Sequence, residues 1–341
     1  MKTIYGINNE DKIFIHDKNI SLILRFCIGC AMPLLSVWYF LLLIIARLKI
    51  KTEKKQYYFS ICAIFKDEGL ILNEWIEYHL ILGVEHFYLY NNNSSDNFKE
   101  ILKPYINKGY VTLIDWPIGP PYTQGLAYSN FYKSFRSETN WVAFIDLDEF
   151  ICPFREIHIK DWLKKFDNFS SVVVYWKQFG TSGKIYHDET KLVTEQYTVC
   201  WDKYFAIGKT FVNTSFDMYD FSAKYIHATP TSITIFGHKF LIPPINEFKK
   251  FVIFKSNRIG FFRNSSNFSI QINHYSVKSY ANYCLNKMKK GVPHGFARDL
   301  ETFFWSEQYN NSTDHKIFRF MTELKINMGK AEDVQNQLTS K

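Results

Sequence analysis

The sequence has few of the residues that mark small cross-linked or repetitive folds. Its 341 residues include six cysteines, 15 glycines and 10 prolines. Only Cys27 and Cys30 lie close together, in an apolar run without other metal ligands, so we expect reduced, buried thiols rather than a disulfide framework. The sequence also has no zinc-knuckle, RRM-like or helix-turn-helix pattern, no internal repeat and no long low-complexity linker. These absences argue against nucleic acid as a partner and against a repeat architecture.

The composition is that of a folded chain with a basic surface. Hydrophobic residues make up 47% of the sequence, aromatic residues 18% and charged residues 22%, which argues against long disordered segments. The length allows one sizeable α/β core or two small domains. A net charge of +8 and a pI near 8.9 favour anionic partners such as phosphates, nucleotide sugars or anionic lipids.

Residues 27–46 form an uncharged apolar run that precedes a basic cluster. The run has the length of about 20 residues that a membrane-spanning helix needs, and a buried or interfacial helix is the alternative. More basic residues follow the run than precede it, namely Arg47, Lys49, Lys51, Lys54 and Lys55 against Lys12, Lys18 and Arg25. The positive-inside rule then predicts a single-pass membrane protein, anchored by residues 1–50, with its catalytic domain in the cytoplasm.

From residue 57 the pattern predicts alternating strands and helices. Predicted strands cover 57–65, 86–91, 110–116 and 141–150, and predicted helices fill the intervals, for example 124–137. Strand–helix–strand repeats with short connections are typical of a Rossmann-like α/β domain, in which helices flank a mainly parallel sheet. We therefore predict a domain over 51–290 and a C-terminal helical extension over 291–341.

Asp146 and Asp148 end the predicted fourth strand. Residues two apart on a strand face the same side, so both carboxylates should face one point. Ligands of open parallel sheets bind at the carboxyl ends of the strands, where this pair falls. An all-oxygen site of this kind suits Mn²⁺ or Mg²⁺, although a solvated strand end is the plainer interpretation of an isolated Asp-x-Asp.

Polar clusters follow two other predicted strands. Asp67 and Glu68 come between the first strand and a helix, where polar side chains can hold a nucleoside and the helix N-terminus favours an anion. Asp67 can also simply cap that helix. The second strand ends in residues 90–96, Tyr-Asn-Asn-Asn-Ser-Ser-Asp, for which a turn with a helix cap is an equal alternative.

Asn273-His274-Tyr275 is followed by Lys278 and Ser279. A neutral histidine is an acceptable ligand for Mn²⁺ and a poor one for Mg²⁺. Lys278 could lie over a phosphate, and Ser279 can cap a helix. A lone histidine is more often a packed surface residue, so spacing alone does not single it out.

Taken in order, these motifs resemble glycosyltransferase family 92 and related family-2-like bacterial enzymes. The similarity covers about residues 58–290 and includes Lys66 to Glu68, Glu74-Trp75, Tyr78-His79, Leu82 to Phe87, Tyr90 to Asp96, Asp115 to Pro117, Gln124 with Ala127-Tyr128, Trp141 to Phe150, Phe179-Gly180, Ser182-Gly183 and Asn273 to Ser279. The resemblance implies a GT-A fold, a nucleotide-diphosphate sugar donor (usually UDP-linked) and transfer with inversion to a glycan or glycolipid acceptor.

The resemblance also implies roles for particular residues. Asp146 and Asp148 would hold Mn²⁺ or Mg²⁺ with the diphosphate, with His274 as a further ligand. The nucleoside pocket would consist of Asp67, Glu68, Asn91, Asp96 and Gln124, and the diphosphate would contact Lys209 and Lys278. The sequence departs from the family pattern at two positions: Asp67 stands where relatives usually carry Asn, and Asn91 where they usually carry Asp. The base preference of the donor site is therefore open.

Inversion needs a carboxylate base to accept the proton of the attacking hydroxyl. The candidates are Asp217, Asp220, Asp188 and Glu149. Asp217 and Asp220 lie in an aromatic stretch that could stack on sugar rings, although ordinary core packing explains aromatic residues as well. The alternative role of Glu149 is to orient the metal ligands.

The sequence predicts a hexosyltransferase that acts in cell-surface polysaccharide or lipooligosaccharide synthesis. A haloacid-dehalogenase-type phosphotransferase is a poor alternative, because Phe150 stands where such enzymes want Thr or Val. A non-catalytic nucleotide-binding scaffold of a glycan assembly complex is the remaining alternative.

Overall fold

The computed structural model describes residues 13–14, 22–50, 54–119, 123–205, 208–219, 229–250, 252, 268–288 and 298–330. The strands, in chain order, are β1 (Ile13–Phe14), β2 (Tyr57–Phe65), β3 (His86–Asn91), β4 (Val111–Asp115), β5 (Thr139–Phe144), β6 (Glu149–Pro153), β7 (Ser171–Gln178), β8 (Val199–Cys200), β9 (Tyr204–Phe205), β10 (Gly208–Asn213), β11 (Asp217–Met218), β12 (Thr231–Ile235), β13 (His238–Ile242), β14 (Ile245–Asn246), β15 (Ile270–His274) and β16 (Ser312–Thr313).

The α-helices, in chain order, are α1 (Leu22–Lys49), α2 (Gly69–Ile81), α3 (Phe98–Asn107), α4 (Thr123–Phe135), α5 (Ile159–Leu163), α6 (Val193–Gln196), α7 (Tyr280–Asn282), α8 (Leu300–Ser306) and α9 (Met321–Asn327). Short 3₁₀ segments follow α5, follow α8 and precede α9, and a π-helical turn, Tyr283–Lys287, continues α7.

The central sheet has the strand order β4-β3-β2-β5-β10-β7-β15-β6, with β14 beside β7. The first four strands in this order are parallel, and β10 lies antiparallel between β5 and β7. The chain adds strands outward from β2 to β4 and then returns to place β5 on the other side of β2. This reversal opens a crevice between the carboxyl ends of β2 and β5, where open α/β sheets bind ligands.

Side-chain alternation explains why both faces of the parallel part are covered. On β3, Phe87 and Leu89 belong to the apolar core that includes Trp75 of α2, whereas Tyr88 and Tyr90 pack with Phe131 of α4 on the other face. Strands that are buried on both faces need near-continuous apolar runs. The predicted bounds of β2 and β3, 57–65 and 86–91, are confirmed.

A glycine allows β10 to enter the sheet. A Cβ atom on Gly208 would lie 1.9 Å from the Val174 carbonyl oxygen of β7, so no side chain fits there. The next residue, Lys209, is fully buried and lies at the carboxyl edge of the parallel strands. The antiparallel β10 makes the sheet mixed, but five of its eight strand pairs are parallel, in agreement with the mainly parallel sheet predicted from the sequence.

The predicted fourth strand over 141–150 is wrong in its second half. Strand β5 ends at Phe144, a turn follows, and β6 begins at Glu149. The turn forms because the backbone N–H of Glu149 donates to the Asp146 carbonyl oxygen (3.1 Å) and the backbone N–H of Asp146 donates to Glu149 Oε2 (3.1 Å). Asp146 and Asp148 therefore lie on a turn and not on a strand.

Helix α1 contains the apolar run that the sequence analysis assigned to the membrane. Tyr39, Leu42 and Leu43 are buried with the main core, and Lys49 Nζ donates to the Thr234 carbonyl oxygen of β12 (2.7 Å). Within the described ranges, none of the helices has both the length and the apolar content that crossing a bilayer requires. The predicted membrane-spanning helix at 27–46 is therefore wrong, and so is the predicted single-pass localisation with a cytoplasmic catalytic domain. The apolar run resembles a membrane-spanning segment because part of it is apolar for another reason, namely to pack against the core of the domain.

Three of the five cysteines whose surroundings the structure describes are buried, as predicted, and two are not. Cys62, Cys152 and Cys200 are buried free thiols, Cys284 is half-buried and Cys30 is exposed. Burial alone raises the pKa of the Cys62 thiol well above its ordinary value, so this residue acts as a small apolar side chain.

Candidate functional site

A cavity of about 440 Å³ opens at the carboxyl edge of the sheet, over the crevice between β2 and β5. Its lining includes two residues that follow β2 and two from the turn after β5, together with residues from the C-terminal part of the chain: Lys66, Glu68, Asp146, Asp148, His274, Lys287, Arg298, Trp305 and Tyr309. The three carboxylates of the lining face three basic side chains, Lys66, Lys287 and Arg298, so the cavity offers partners for a cation and for an anionic group at the same place.

Asp146 is held by two side chains. Gln124 Nε2 of α4 donates to Asp146 Oδ1 (2.8 Å), and Lys209 Nζ donates to Asp146 Oδ2 (2.8 Å). Lys209 Nζ also lies 3.6 Å from Glu149 Oε1. Burial lowers the pKa of Lys209, and the charges of Asp146 and Glu149 raise it by more, so its pKa lies above its ordinary value. Lys209 is thus a permanently charged partner of these two carboxyl groups.

Asp148 lies between a lysine and a histidine. Lys287 Nζ, at the end of the π-helical turn, donates to Asp148 Oδ2 (2.5 Å), and His274 Nε2 lies 3.6 Å from Asp148 Oδ1. Burial raises the pKa of Asp148, but Lys287 and His274 lower it by more, to well below its ordinary value. The two partners therefore favour the ionised form of Asp148.

Gln178, at the end of β7, orients His274. Its side-chain amide lies 2.8 Å from His274 Nδ1, and Ser276 Oγ donates to Gln178 Oε1 (3.2 Å). The imidazole also packs on the Trp176 ring, with 4.7 Å between centroids. These contacts leave Nε2 facing Asp148 and Glu149, at 3.6 and 3.9 Å. No role for Gln178 was predicted from the sequence, because there it is only the polar residue at the end of an apolar strand.

Glu149 is a fully buried carboxyl group that faces the same point. Among the described residues, no group donates a hydrogen bond to its Oε1. Burial and the neighbouring charges of Asp146 and Asp148 raise its pKa well above the ordinary value, although Lys209 opposes them. Ligand atoms of Asp148, Glu149 and His274 all lie within 4.8 Å of one another. A divalent cation there would satisfy the orphaned oxygen, and two carboxylates with one imidazole suit Mn²⁺, so the residues fit a metal.

The predicted metal ligands are therefore only partly together. Asp148 and His274 share a cluster with Glu149, whereas Asp146 lies beside Lys209 and Gln124. Glu149, a candidate base in the sequence analysis, is buried beneath the cavity and does not line it.

The predicted nucleoside residues connect the loops that follow β2 and β3. Asp67, which has a positive φ of 50°, accepts from the Ser95 backbone N–H at Oδ1 (2.6 Å). Asp96 Oδ2 accepts from the backbone N–H of Gly69 at the start of α2 (2.7 Å). Asn91 Oδ1 accepts from the Ser94 N–H (2.9 Å). The first two bonds hold the two loops together at the edge of the cavity, and the third closes the turn after β3.

Lys278 and Glu68 meet on the same side of the cavity. Lys278 is nearly fully buried, has a positive φ of 56°, and its Nζ lies 3.9 Å from Glu68 Oε2. Ser279 caps the helix that follows, since its Oγ accepts from the Asn282 N–H (3.2 Å). The predicted helix cap at Ser279 is confirmed, and its neighbour Lys278 contacts the loop after β2.

The other candidate bases lie elsewhere. Strand β10 runs away from the carboxyl edge, so Asp217 lies at the opposite edge, 66% exposed and paired with Arg136 at 2.9 Å. It lines a separate cavity with Lys49 and Lys55. Asp188 lies on a surface loop, 3.5 Å from Lys191, and Asp220 lies outside the described residues. The structure thus does not bring Asp217 to the site, because an antiparallel strand separates it from Lys209.

The C-terminal part of the chain supplies one wall of the cavity, which the sequence analysis did not predict. Thr181 Oγ1 donates to Glu307 Oε1 (2.9 Å), the Ser182 N–H donates to Asn310 Oδ1 (3.0 Å), and β16 pairs with β8. These contacts hold α8 over the site, with Trp305 in the lining.

Comparison with known proteins identifies the family. The model of glycosyltransferase family 92 matches residues 55–328. The chain therefore belongs to glycosyltransferase family 92, and the membership predicted from the motifs is confirmed.

Curated relatives agree over shorter stretches. A family 92 protein of Ricinus communis is 30% identical over 150 residues, which are 42% of this chain and 27% of that protein. A family 92 protein of Arabidopsis thaliana is 36% identical over 104 residues, 29% of this chain and 18% of that protein. The matches thus span about a quarter or less of the length of these relatives.

Two solved structures show weaker similarity. Staphylococcus aureus TarS 1–349 in complex with UDP-GlcNAc is 17% identical, with 46% of each chain covered and a TM-score of 0.29. Glucosyl-3-phosphoglycerate synthase from Mycobacterium tuberculosis, in complex with Mn²⁺, UDP and glucosyl-3-phosphoglycerate, is 13% identical, with 61% of this chain and 67% of that chain covered and a TM-score of 0.28. Similarity at this level supports no conclusion about function.

Proposed function

We propose that this protein is an inverting GT-A glycosyltransferase that transfers a sugar from a nucleotide-diphosphate donor, UDP-linked, to a glycan or glycolipid acceptor. One observation carries the proposal: in a family 92 chain, Asp148, Glu149 and His274 converge beside Lys287 at the carboxyl edge of the sheet, where the charge of Lys278 also acts on Asp148. A cation site next to ammonium groups is the chemistry that a sugar diphosphate requires.

Asp148, Glu149 and His274 would hold Mn²⁺, or Mg²⁺ less well. When bound, the ion acts as a Lewis acid that stabilises the leaving diphosphate. Lys278 and Lys287 supply positive charge for the same group. The loops joined by Asp67 and Asp96 would border the nucleoside; Glu68 lies in the first of these loops, and Asn91 ends β3 and accepts from Ser94 in the second. Gln124 and Lys209 keep Asp146 in place.

The buried position of Glu149 supports a role toward the ion rather than toward the acceptor. A base must reach the hydroxyl proton that it accepts, and Glu149 has no exposed surface. Asp217 lines a different cavity at the other edge of the sheet. We therefore assign neither residue as the base of the inverting step.

Aromatic side chains at the mouth of the cavity support a carbohydrate acceptor. Trp305 lines the cavity and is 47% exposed, and the adjacent Phe304 is more exposed still. An exposed indole offers an apolar face and an N–H donor, which match the apolar faces and hydroxyl groups of a sugar ring. The Trp305 ring lies edge-on to Tyr309, with 5.7 Å between centroids.

The test is turnover by the full-length chain with Mn²⁺ and a panel of nucleotide sugars, read as released nucleoside diphosphate. We expect release from at least one UDP-sugar, and product NMR should show inverted anomeric configuration. The Asp148→Ala variant should lose turnover while staying folded. A folded wild type that is silent with every donor would contradict the enzymatic function and favour a nucleotide-binding scaffold.

A further inference from the structure

Lys287 lies on the carboxylate that the proposed metal site needs. Its Nζ is 2.5 Å from Asp148 Oδ2, and both side chains are almost completely buried. The other oxygen of Asp148 faces His274. A single carboxylate thus faces an ammonium group on one side and the metal cluster on the other.

An ammonium group and a divalent cation compete for one negative charge. Lys287 already neutralises the charge of Asp148. A cation that binds there therefore gains less attraction from this carboxylate and is repelled by the nearby ammonium group. Repulsion between buried cations is strong because little water screens it. The cluster of Asp148, Glu149 and His274 therefore binds a cation less tightly with Lys287 in this position than it would without it.

An anionic ligand removes this conflict. Lys287 and Glu68, which is in the loop that follows β2, line the same cavity as Asp148 and His274, and the charges of Lys287 and Glu68 attract each other. A donor that extends from the metal cluster to the loop after β2 brings its diphosphate close to the ammonium group of Lys287. The lysine ends a π-helical turn, Tyr283–Lys287, and such turns are frequent at functional sites.

We propose that Lys287 is an exchangeable counter-ion: it neutralises Asp148 in the empty site and passes to the donor diphosphate when the metal binds. This inference rests on the proposed function. It makes metal and nucleotide binding mutually dependent, because each ligand relieves the charge imbalance that the other creates. The lysine is thus a positioning residue that suppresses metal binding to a site without nucleotide.

The test measures Mn²⁺ binding to the full-length protein by the EPR signal of free Mn²⁺ and by calorimetry, with and without UDP. In Lys287→Met we expect Mn²⁺ alone to bind at least about fivefold more tightly than in the wild type, the lower end of typical coupling between sites. In the presence of Mn²⁺, UDP should bind more weakly by a similar factor. Lys287→Arg, which keeps the charge, should resemble the wild type.

Lys103→Met is the matched control, because it removes one positive charge from the exposed side of α3 and should change neither affinity. Lys287→Gln replaces the lysine by an amide that can still donate to Asp148, and it serves if the methionine variant does not fold. Suppose that the wild type binds Mn²⁺ in the presence of UDP and turns over a donor. If every folded variant with a neutral residue at 287 then binds Mn²⁺ no more tightly than the wild type, this inference alone is overturned. A wild type that binds no Mn²⁺ even with UDP overturns it together with the metal role in the proposed function.

Discussion

The buried ammonium group of Lys209 lies 2.8 Å from Asp146 Oδ2 and 3.6 Å from Glu149 Oε1. It is the counter-charge beneath the turn that carries Asp148. The side chains of Lys209 and Glu149 are fully buried, whereas that of Asp146 is 35% exposed. A buried carboxyl group that shares its one counter-charge with a second carboxylate is unfavourable for folding and favourable for binding a cation. The proposed metal site is therefore built at a cost in stability.

Replacing Lys209 by methionine should destabilise the protein severely. The substitution leaves Asp146 and Glu149 without their buried counter-charge, and breaking a buried pair in this way costs about 3–5 kcal/mol. Urea unfolding followed by circular dichroism measures the loss. Lys164→Met, which removes an exposed pair with Asp161, should change the free energy of unfolding by less than about 1 kcal/mol. Equal effects of the two substitutions would contradict the role of Lys209.

The Glu149→Gln variant should be more stable than the wild type at neutral pH. The pKa of Glu149 is higher in the folded than in the unfolded chain. Its contribution to stability is therefore fully present below the unfolded pKa and is lost as the pH rises through the folded pKa. Glutamine avoids this loss, so we expect a gain of about 0.5–2 kcal/mol, typical of single stabilising substitutions.

The sign of the pH dependence separates this prediction from a general packing effect. The gain from Glu149→Gln should grow as the pH rises from about 5 to about 8, and urea unfolding at several pH values measures it. Glu100→Gln, on the exposed side of α3, should show no such trend. The same Glu149 variant should bind Mn²⁺ more weakly. A gain that is constant with pH would argue against the raised pKa as its cause.

The local hydrophobic pattern of the sequence was enough to predict the parallel strands, but it did not predict the turn at Asp146. Strands β2 and β3 are buried on both faces, so each is a nearly continuous apolar run, interrupted in β2 only by Ser60, as expected for strands of this kind. The run from Trp141 to Phe150 reads the same way, yet the chain turns where Glu149 accepts from the Asp146 N–H. Hydrophobic periodicity cannot predict a hydrogen bond from a backbone N–H to a side chain three residues away, such as the one from Asp146 to Glu149.

The site residues that sequence reasoning missed come from distant parts of the chain. Lys287 reaches Asp148 across 139 positions, and Gln178 reaches His274 across 96. Neither lies in a motif, because each is positioned by the topology of the sheet and of the C-terminal segment. Asp217 lies far from the site for a related reason. Strand β10 carries the chain to the far edge of the sheet, and the aromatic stretch around Asp217 does not encode the direction of that strand.

Gly208 should tolerate no side chain. An alanine Cβ would lie 1.9 Å from the Val174 carbonyl oxygen and would force β10 away from β7, so Gly208→Ala should destabilise by about 1–3 kcal/mol or more. Thermal unfolding measures the effect. Gly119→Ala is the control, since a Cβ there has no neighbour within 4 Å among the described residues. A Gly208 variant as stable as the Gly119 variant would contradict the close approach of these strands.

Gln178→Ala should weaken metal binding without touching a metal ligand. The amide orients His274 from the side opposite Asp148, and loss of such a partner typically costs about 10–100-fold in metal affinity. Mn²⁺ titration in the presence of UDP measures the loss, and Gln56→Ala, an exposed glutamine at the other edge of the sheet, is the control. Unchanged affinity would place His274 outside the metal site.

Trp305→Ala should separate acceptor binding from donor chemistry. Trp305 lies at the mouth of the cavity and belongs to neither the metal cluster nor the loops after β2 and β3, so we expect the acceptor KM to rise about tenfold, equivalent to about 1.4 kcal/mol. The slow transfer of sugar to water and the affinity for UDP should stay within about twofold, because neither uses the acceptor surface. Trp305→Tyr should retain most of the acceptor affinity, since it keeps an aromatic face. Phe236→Ala removes a fully exposed aromatic ring from the β12–β13 turn and should change none of these quantities. A Trp305→Ala variant that loses donor hydrolysis and acceptor transfer equally would show that the indole supports the site as a whole and not the acceptor.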